Sequence, residues 1–186
     1  SDVCSSDLGT GASVGKLLGF EHAMKSGIGT CGIQVGDLQV AAIVAVNACG
    51  NVVDYETNEL LAGVYDSHSG SVLKAQDVLF QQMDALRKLP EGNTTIGCFV
   101  TNAKLDKAQC TKIAGIAHNG YARAIHPVHT MSDGDSIFVL SSGEVEVMAD
   151  AVGMLATEMM AKAIKRAVLH AESAYGLPAH SDVICK

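Results

Sequence analysis

Asn93 and Thr94 lie between Gly92 and an apolar run opened by Thr95 and Ile96, and these types in this order can do chemistry. The Thr94 hydroxyl can attack the Asn93 carbonyl, shifting the amide to an ester whose hydrolysis releases an N-terminal threonine. Such a residue carries nucleophile and base together, because an α-amine with an ordinary pKa of about 7.7 to 8.0 accepts the hydroxyl proton near neutral pH. The plainer account is a loop running into a strand, and the residues alone leave both open.

Other side chains invite chemistry. Lys16 sits between Gly15 and Leu17; it is either a surface lysine or one brought to a reacting centre by the close approach that glycine permits. The glycines before it do not make a phosphate loop, since the spacing from Gly9 to Gly15 is one residue too long and Leu17 stands where a magnesium-binding Ser or Thr is needed. Residues 27–32 match the dinucleotide fingerprint by letter, but with no strand before them they are expected to form a turn. His126, His129, Asp133 and Asp135 supply four metal-capable groups, which keeps a metal-dependent hydrolase as an alternative. The same residues read more plainly as an acidic turn ahead of a strand. In a third account the two aspartates bracketing Gly134 form an anionic cage for an ammonium group.

The elements that must position these groups are partly legible. Residues 9–36 hold eight of the 19 glycines, which predicts tight loops around a short helix at 20–25. Residues 38–46 read as a strand buried on both faces and ending at Asn47. Residues 50–71 are polar and poorly periodic. Helical spacing predicts a helix over 72–89, stopped by Pro90. Residues 94–101 and 136–141 read as strands. Asp106 is expected to cap a helix over 107–124, and 145–171 reads as a long helix whose four methionines pack in the core.

Composition narrows the class. The chain has 186 residues, 48% hydrophobic and 18% charged, with a formal charge of −7. The acidic balance and the absence of a basic block argue against nucleic acid and anionic membrane surfaces as partners. No apolar run reaches the roughly 18 residues of a membrane span, nor do the first residues resemble a secretory signal, so a cytoplasmic protein is expected. The six cysteines lack zinc or redox spacing, which suits reduced thiols. Residues 1–8 differ in texture from the rest and look like the in-frame translation of a sequencing adapter. They are set aside as a scar, leaving 9–186 as a single domain that is expected to be the C-terminal portion of a longer precursor.

Six motifs occur in order: GASVGK at 11–16, KSGIGT at 25–30, AVNA at 45–48, NTTIG at 93–97, RAIHPVHT at 123–130 and DGD at 133–135. Together they resemble the L-aminopeptidase/D-amidase/D-esterase family, which includes β-peptidyl aminopeptidases and the nylon-oligomer hydrolase. The resemblance implies an α/β (α+β) fold, a four-layer αββα sandwich shared with ornithine acetyltransferases and here partial, since family members are nearly twice as long. It implies autocleavage between Asn93 and Thr94, dividing 9–93 from 94–186, with Thr94 as nucleophile and α-amine base. Lys16 matches the lysine near the nucleophile, Asn47 the asparagine donating to the oxyanion, and Asp133 and Asp135 the acidic pair beside it. It further implies small peptide or amide substrates, no cofactor, and a homo-oligomer of processed α/β heterodimers. The different-class alternative is a non-catalytic structural fragment.

Overall fold

The computed structural model describes residues 9–83 and 92–184. Its strands are β1 (Ser13–Val14), β2 (Met24–Lys25), β3 (Ile28–Val35), β4 (Leu38–Ala45), β5 (Asn51–Val53), β6 (Leu60–Ala62), β7 (Val64–Asp66), β8 (Ser71–Leu73), β9 (Ile96–Ala103), β10 (Ile125–His126) and β11 (Ser136–Val145). Its helices are α1 (Ala75–Gln81), α2 (Lys107–Ala124), α3 (Ala149–Leu169) and α4 (His180–Val183). The main sheet runs β11-β9-β4-β3, with β11 parallel to β9 and the other two pairings antiparallel. Three-stranded β10-β5-β6 and the pairs β1-β2 and β7-β8 flank it.

Strand alternation decides where the core lies. Leu38, Val40, Ala42 and Val44 of β4 and Phe99 of β9 point to one face and are buried with Ile113, Ala117 and Tyr121 of α2 and Met160, Ile164 and Val168 of α3. The opposite face carries Ile43, Ile96, Val100, Phe138 and Leu140, between 38 and 61% exposed. The β4 run is therefore buried on one face only, not both, because helices cover one side of the sheet among the described residues. These residues build a mixed α/β arrangement in which α2 and α3 pack together on one face of the main sheet.

Helices and sheet approach closely at glycines. A Cβ on Gly29 would lie 1.8 Å from the Ala163 carbonyl oxygen of α3, and one on Gly120 of α2 would lie 2.5 Å from the Thr157 oxygen. Residues 27–32 are thus mostly strand rather than the expected turn: Gly29 serves the contact with α3, while Gly32 faces Val40 and Ala41 of β4. The helix expected at 20–25 is also absent. Two 3₁₀ turns, Lys16–Leu18 and Phe20–His22, are separated by Gly19 at φ 115°, and Met24 and Lys25 pair with β1.

Helix α2 has the expected bounds. The Asp106 side chain accepts from the Gln109 N–H at 2.7 Å while the Gln109 side chain accepts from the Asp106 N–H at 2.9 Å, a capping box that fixes the start. Residues 145–148 belong to the end of β11 and the entry to α3, which begins at Ala149. Its stripe is half as expected: Met159 and Met160 are buried, while Met148 and Met154 face solvent. The helix expected over 72–89 divides into β8 and α1; its continuation to 89, the stop at Pro90 and residues 1–8 lie outside the described residues. The segment 50–71, read as irregular, contains β5, β6 and β7. Cys31, Cys49, Cys98 and Cys110 are free thiols, and no described helix is long and apolar enough to cross a membrane.

Candidate active site

The end of β4 and the heads of β9 and β11 meet at one place. The β4-β9 ladder continues past Ala45 and Ile96, because the Thr94 N–H donates to the Asn47 carbonyl at 2.9 Å. On the other side Asn93 bridges Asp133 in the parallel sense, and the Gly134 N–H donates to the Asn93 carbonyl oxygen at 2.8 Å. Both ends of the peptide joining Asn93 and Thr94 are therefore held, the carbonyl by β11's approach and the N–H by β4's exit. A Cβ on Gly134 would come within 2.7 Å of the Thr94 Oγ1; only glycine fits between the aspartates with the hydroxyl placed there.

Lys16 is carried to this point by its 3₁₀ turn after Gly15. Its Nζ donates to Asn47 Oδ1 at 2.7 Å, which the Ser13 N–H also meets at 3.3 Å. Since the ammonium has only protons to give, the oxygen end of the Asn47 amide faces Lys16 and Nδ2 faces away. Nδ2 donates to the Gly92 carbonyl at 3.0 Å, one residue before Asn93. Lys16 is buried, and burial lowers its pKa from 10.5 to about 8 against the opposing pull of Cys49 and Asp133. Cys49 is driven the other way, to about 11, by burial first and by Asp133.

The two carboxylates do different work. Asp133 Oδ2 accepts the Thr130 N–H at 2.8 Å, while its buried Oδ1 has no hydrogen-bond partner among the described residues. Asp135 Oδ1 accepts the Thr95 N–H at 3.0 Å, and Oδ2 lies 2.9 Å from His129 Nδ1. The fully buried Thr95 is gripped further: its Oγ1 accepts the Asn47 N–H at 3.3 Å and its carbonyl accepts the Ser136 N–H at 3.1 Å. Lys16, Asn47, Asn93, Thr94, Asp133 and Asp135 thus lie together at this end of the sheet. The four residues weighed for a metal do not: His126 Nε2 faces the Ala122 carbonyl at 3.1 Å, and no three His, Cys, Asp or Glu groups among the described residues are spaced to hold an ion.

Sequence reasoning missed Gly134, Thr95 and the partnership of His129 with Asp135. A glycine wedged between two aspartates was the available signal for the first; Thr95 is held through backbone hydrogen bonds, and His129 comes beside Asp135 through side chains that only the fold brings together, and neither leaves a pattern in the letters.

An uncharacterized aminopeptidase of Mycobacterium tuberculosis is 36% identical over 186 aligned residues, covering 87% of this chain and 53% of the relative. A 6-aminohexanoate-oligomer endohydrolase of Paenarthrobacter ureafaciens is 29% identical over 176 residues, covering 86% of this chain and 48% of its own length. The chain therefore spans about half the length of these curated relatives. Among solved structures, the L-aminopeptidase D-Ala-esterase/amidase of Ochrobactrum anthropi, described as a variant of the Ntn hydrolase fold, superposes with a TM-score of 0.59 at 17% identity, covering 94% of this chain and 49% of that one. A Burkholderia sp. beta-aminopeptidase gives 0.51 at 22% identity, covering 86% and 44%. These likenesses give the fold, and with it the α/β class. Residues 8–181 match the profile of peptidase family S58, and the chain belongs to that family.

Proposed function

We propose that this chain carries the catalytic centre of an autoprocessing amide hydrolase of the aminopeptidase type. The observation that carries the reading is the grip on the peptide between Asn93 and Thr94, with the Thr94 hydroxyl packed against Gly134. In the first reaction Thr94 Oγ1 bonds to the Asn93 carbonyl carbon. The oxygen that gains charge already receives the Gly134 N–H, the kind of donor whose loss typically costs about 2.7 to 4 kcal/mol of transition-state stabilisation. The C–N bond then breaks, its nitrogen takes up the hydroxyl proton, and water hydrolyses the resulting ester. Residues 9–93 end in the Asn93 carboxylate, and residues 94–186 begin with a free threonine.

The new α-amine leaves where the Asn47 carbonyl accepted its N–H, beside the Thr95 peptide fixed by Asp135. It serves as the base when Thr94 attacks a substrate amide, giving an acyl-threonine and a free amine; water then releases the acid. Once Gly92 is no longer tethered to Thr94, Asn47 Nδ2, aimed by Lys16, is free to donate to a substrate carbonyl oxygen. Asp133 Oδ1, buried and facing no described donor, supplies negative charge for an ammonium group. Small peptides and amides are the proposed substrates. The named activity of the Paenarthrobacter relative makes 6-aminohexanoate oligomers a sensible member of the assay panel. The processed halves are proposed to remain together as a heterodimer within a cytoplasmic homo-oligomer.

Intact mass spectrometry tests the reading. The wild-type protein is expected to yield a fragment beginning at Thr94, and Thr94→Ala a single uncut chain with no amidase activity; cleavage in that variant overturns the mechanism.

A further inference from the structure

Thr95 follows the proposed nucleophile and is fully buried. Its N–H donates to Asp135 Oδ1 at 3.0 Å, and its carbonyl accepts the Ser136 N–H at 3.1 Å and the Tyr121 hydroxyl at 3.5 Å. Its Oγ1 accepts the Asn47 N–H at 3.3 Å, and this last contact is the unusual one. The β4-β9 ladder brings Asn47 opposite Thr94, whose N–H donates to the Asn47 carbonyl at 2.9 Å. In a regular antiparallel rung the Asn47 N–H would return the bond to the Thr94 carbonyl. It donates to a side chain one residue further on instead, so a hydroxyl closes the rung where a main-chain carbonyl would.

In the uncut chain Asn47 has two further ties to this strand and its approach: the Thr94 N–H on its carbonyl, and its own Nδ2 on the Gly92 carbonyl at 3.0 Å. Cleavage alters both, because Gly92 is no longer joined to Thr94 and the Thr94 N–H becomes an amine. The Thr95 contact involves neither group. We infer that Thr95 is a positioning residue: its hydroxyl fixes the backbone of Asn47, and so the Nδ2 aimed at a substrate carbonyl oxygen, at a set distance from the threonine one residue earlier. That distance decides the reaction, since an oxyanion donor must lie about 2.7 to 3.1 Å from where charge develops. Without the hydroxyl the Asn47 N–H loses its acceptor, and Asn47 shifts relative to the nucleophile. Self-cleavage makes a different demand. There the charge develops on the Asn93 carbonyl oxygen, which receives the Gly134 N–H, while Asn47 Nδ2 is engaged by Gly92. Loss of the Thr95 hydroxyl should therefore spare the first reaction and harm the second, a split that a merely structural residue does not produce. The role rests on the proposed function, in which Thr94 is the nucleophile and Asn47 the oxyanion donor.

The test compares two substitutions of similar size. Thr95→Val keeps the shape and removes the acceptor; Thr95→Ser keeps the acceptor and removes a methyl group. Each is made in the full chain, checked by its thermal melt, and assayed for the rate of self-cleavage and, per cut chain, for kcat and KM on an amino-acid p-nitroanilide. Misplacing the oxyanion donor predicts for Thr95→Val a kcat lower by about tenfold or more, with KM moved by less than about twofold and self-cleavage slowed by less than about threefold. Thr95→Ser is expected to keep kcat within about threefold of wild type. A folded Thr95→Val at wild-type kcat overturns the assignment, as does one whose self-cleavage falls as far as its kcat, or a folded Thr95→Ser no better than Thr95→Val. If Thr95→Val does not melt cooperatively, Thr95→Ala, which also lacks the hydroxyl, takes its place under the same criteria. If neither folds, Thr95→Ser decides: kcat within about threefold of wild type supports the role, and a loss of about tenfold overturns it. Wild type and Thr94→Ala run in parallel separate the two ideas. An inert wild type, or cleavage or hydrolysis by Thr94→Ala, removes the proposed function and the role of Thr95 with it; an active wild type and inert Thr94→Ala beside a fully active Thr95→Val remove only the role of Thr95.

Discussion

A methyl group on Gly134 would stand 2.7 Å from the Thr94 hydroxyl oxygen, so the glycine between the two aspartates leaves that hydroxyl its room. The same glycine donates its N–H to the Asn93 carbonyl. Gly134→Ala keeps the donor but must displace the hydroxyl or the loop. Displacements near 1 Å in an attacking group can cost about 100-fold, so self-cleavage should slow by roughly that factor while the melting temperature stays within a few degrees. A time course by gel or mass spectrometry checks it, and cleavage at the wild-type rate would remove the steric argument.

Lys16 predicts a pH signature in stability. Burial holds its pKa near 8 in the folded chain, against 10.5 when unfolded. Between those values the native lysine is neutral while the unfolded one still binds a proton. The unfolded state then carries more protons, and the stability contributed by this group rises with pH across that window. Below pH 8 both states are charged and the folded one bears the cost of burying the ammonium. Thermal melts of wild type and Lys16→Met from pH 7 to 10.5 should therefore show the difference moving in favour of wild type as pH rises above 8. Parallel curves would mean that the ammonium is not buried as described.

Two glycines should respond oppositely to alanine. At Gly29 the added carbon would meet the Ala163 carbonyl oxygen at 1.8 Å and the Ala167 nitrogen at 2.6 Å, both backbone atoms of α3 that cannot step aside. Forcing β3 from the helix should cost about 3 kcal/mol or more. Gly115 lies in α2 with nothing within 4 Å of the new carbon, and alanine there should stabilise by about 0.5 to 1 kcal/mol. Urea unfolding of both variants measures the contrast; equal effects would contradict the packing of α3 on β3.

The start of α2 is similarly exposed to test. Asp106→Ala removes the acceptor for the Gln109 N–H and should lower stability by about 1 kcal/mol, with circular dichroism in the native baseline unchanged. No loss of denaturation midpoint would show that the cap is replaced by water.

How much of this was legible depended on range. The bounds of α2 followed from one side chain capping one turn, a local matter written in Asp106 and Gln109. Strand β3 was hidden, because Gly29 and Gly32 look like loop residues until Ala163 of a helix more than a hundred residues later comes to rest on Gly29. The one-sided burial of β4 was hidden for the same reason: Ile43 and Val44 are alike as letters, and only the placement of α3 decides which is covered. At the site, Lys16, Asn47, Thr94 and the aspartates were recognisable by type and order. The division of labour between Asp133 and Asp135 was not, since it turns on whether the Thr130 or the Thr95 N–H lies within reach.

The β4-β9 ladder has a consequence for how the protein would come apart. Val40 to Ala45 pair with Ile96 to Thr101 in unbroken register, and α3 lies across β3 and β4. A break between Asn93 and Thr94 severs the chain without removing one rung of that ladder, and it turns a unimolecular structure into a bimolecular one. Refolding of the cut protein from denaturant should then slow on dilution and follow second-order kinetics, whereas the uncut Thr94→Ala chain should regain its structure at a rate indifferent to concentration.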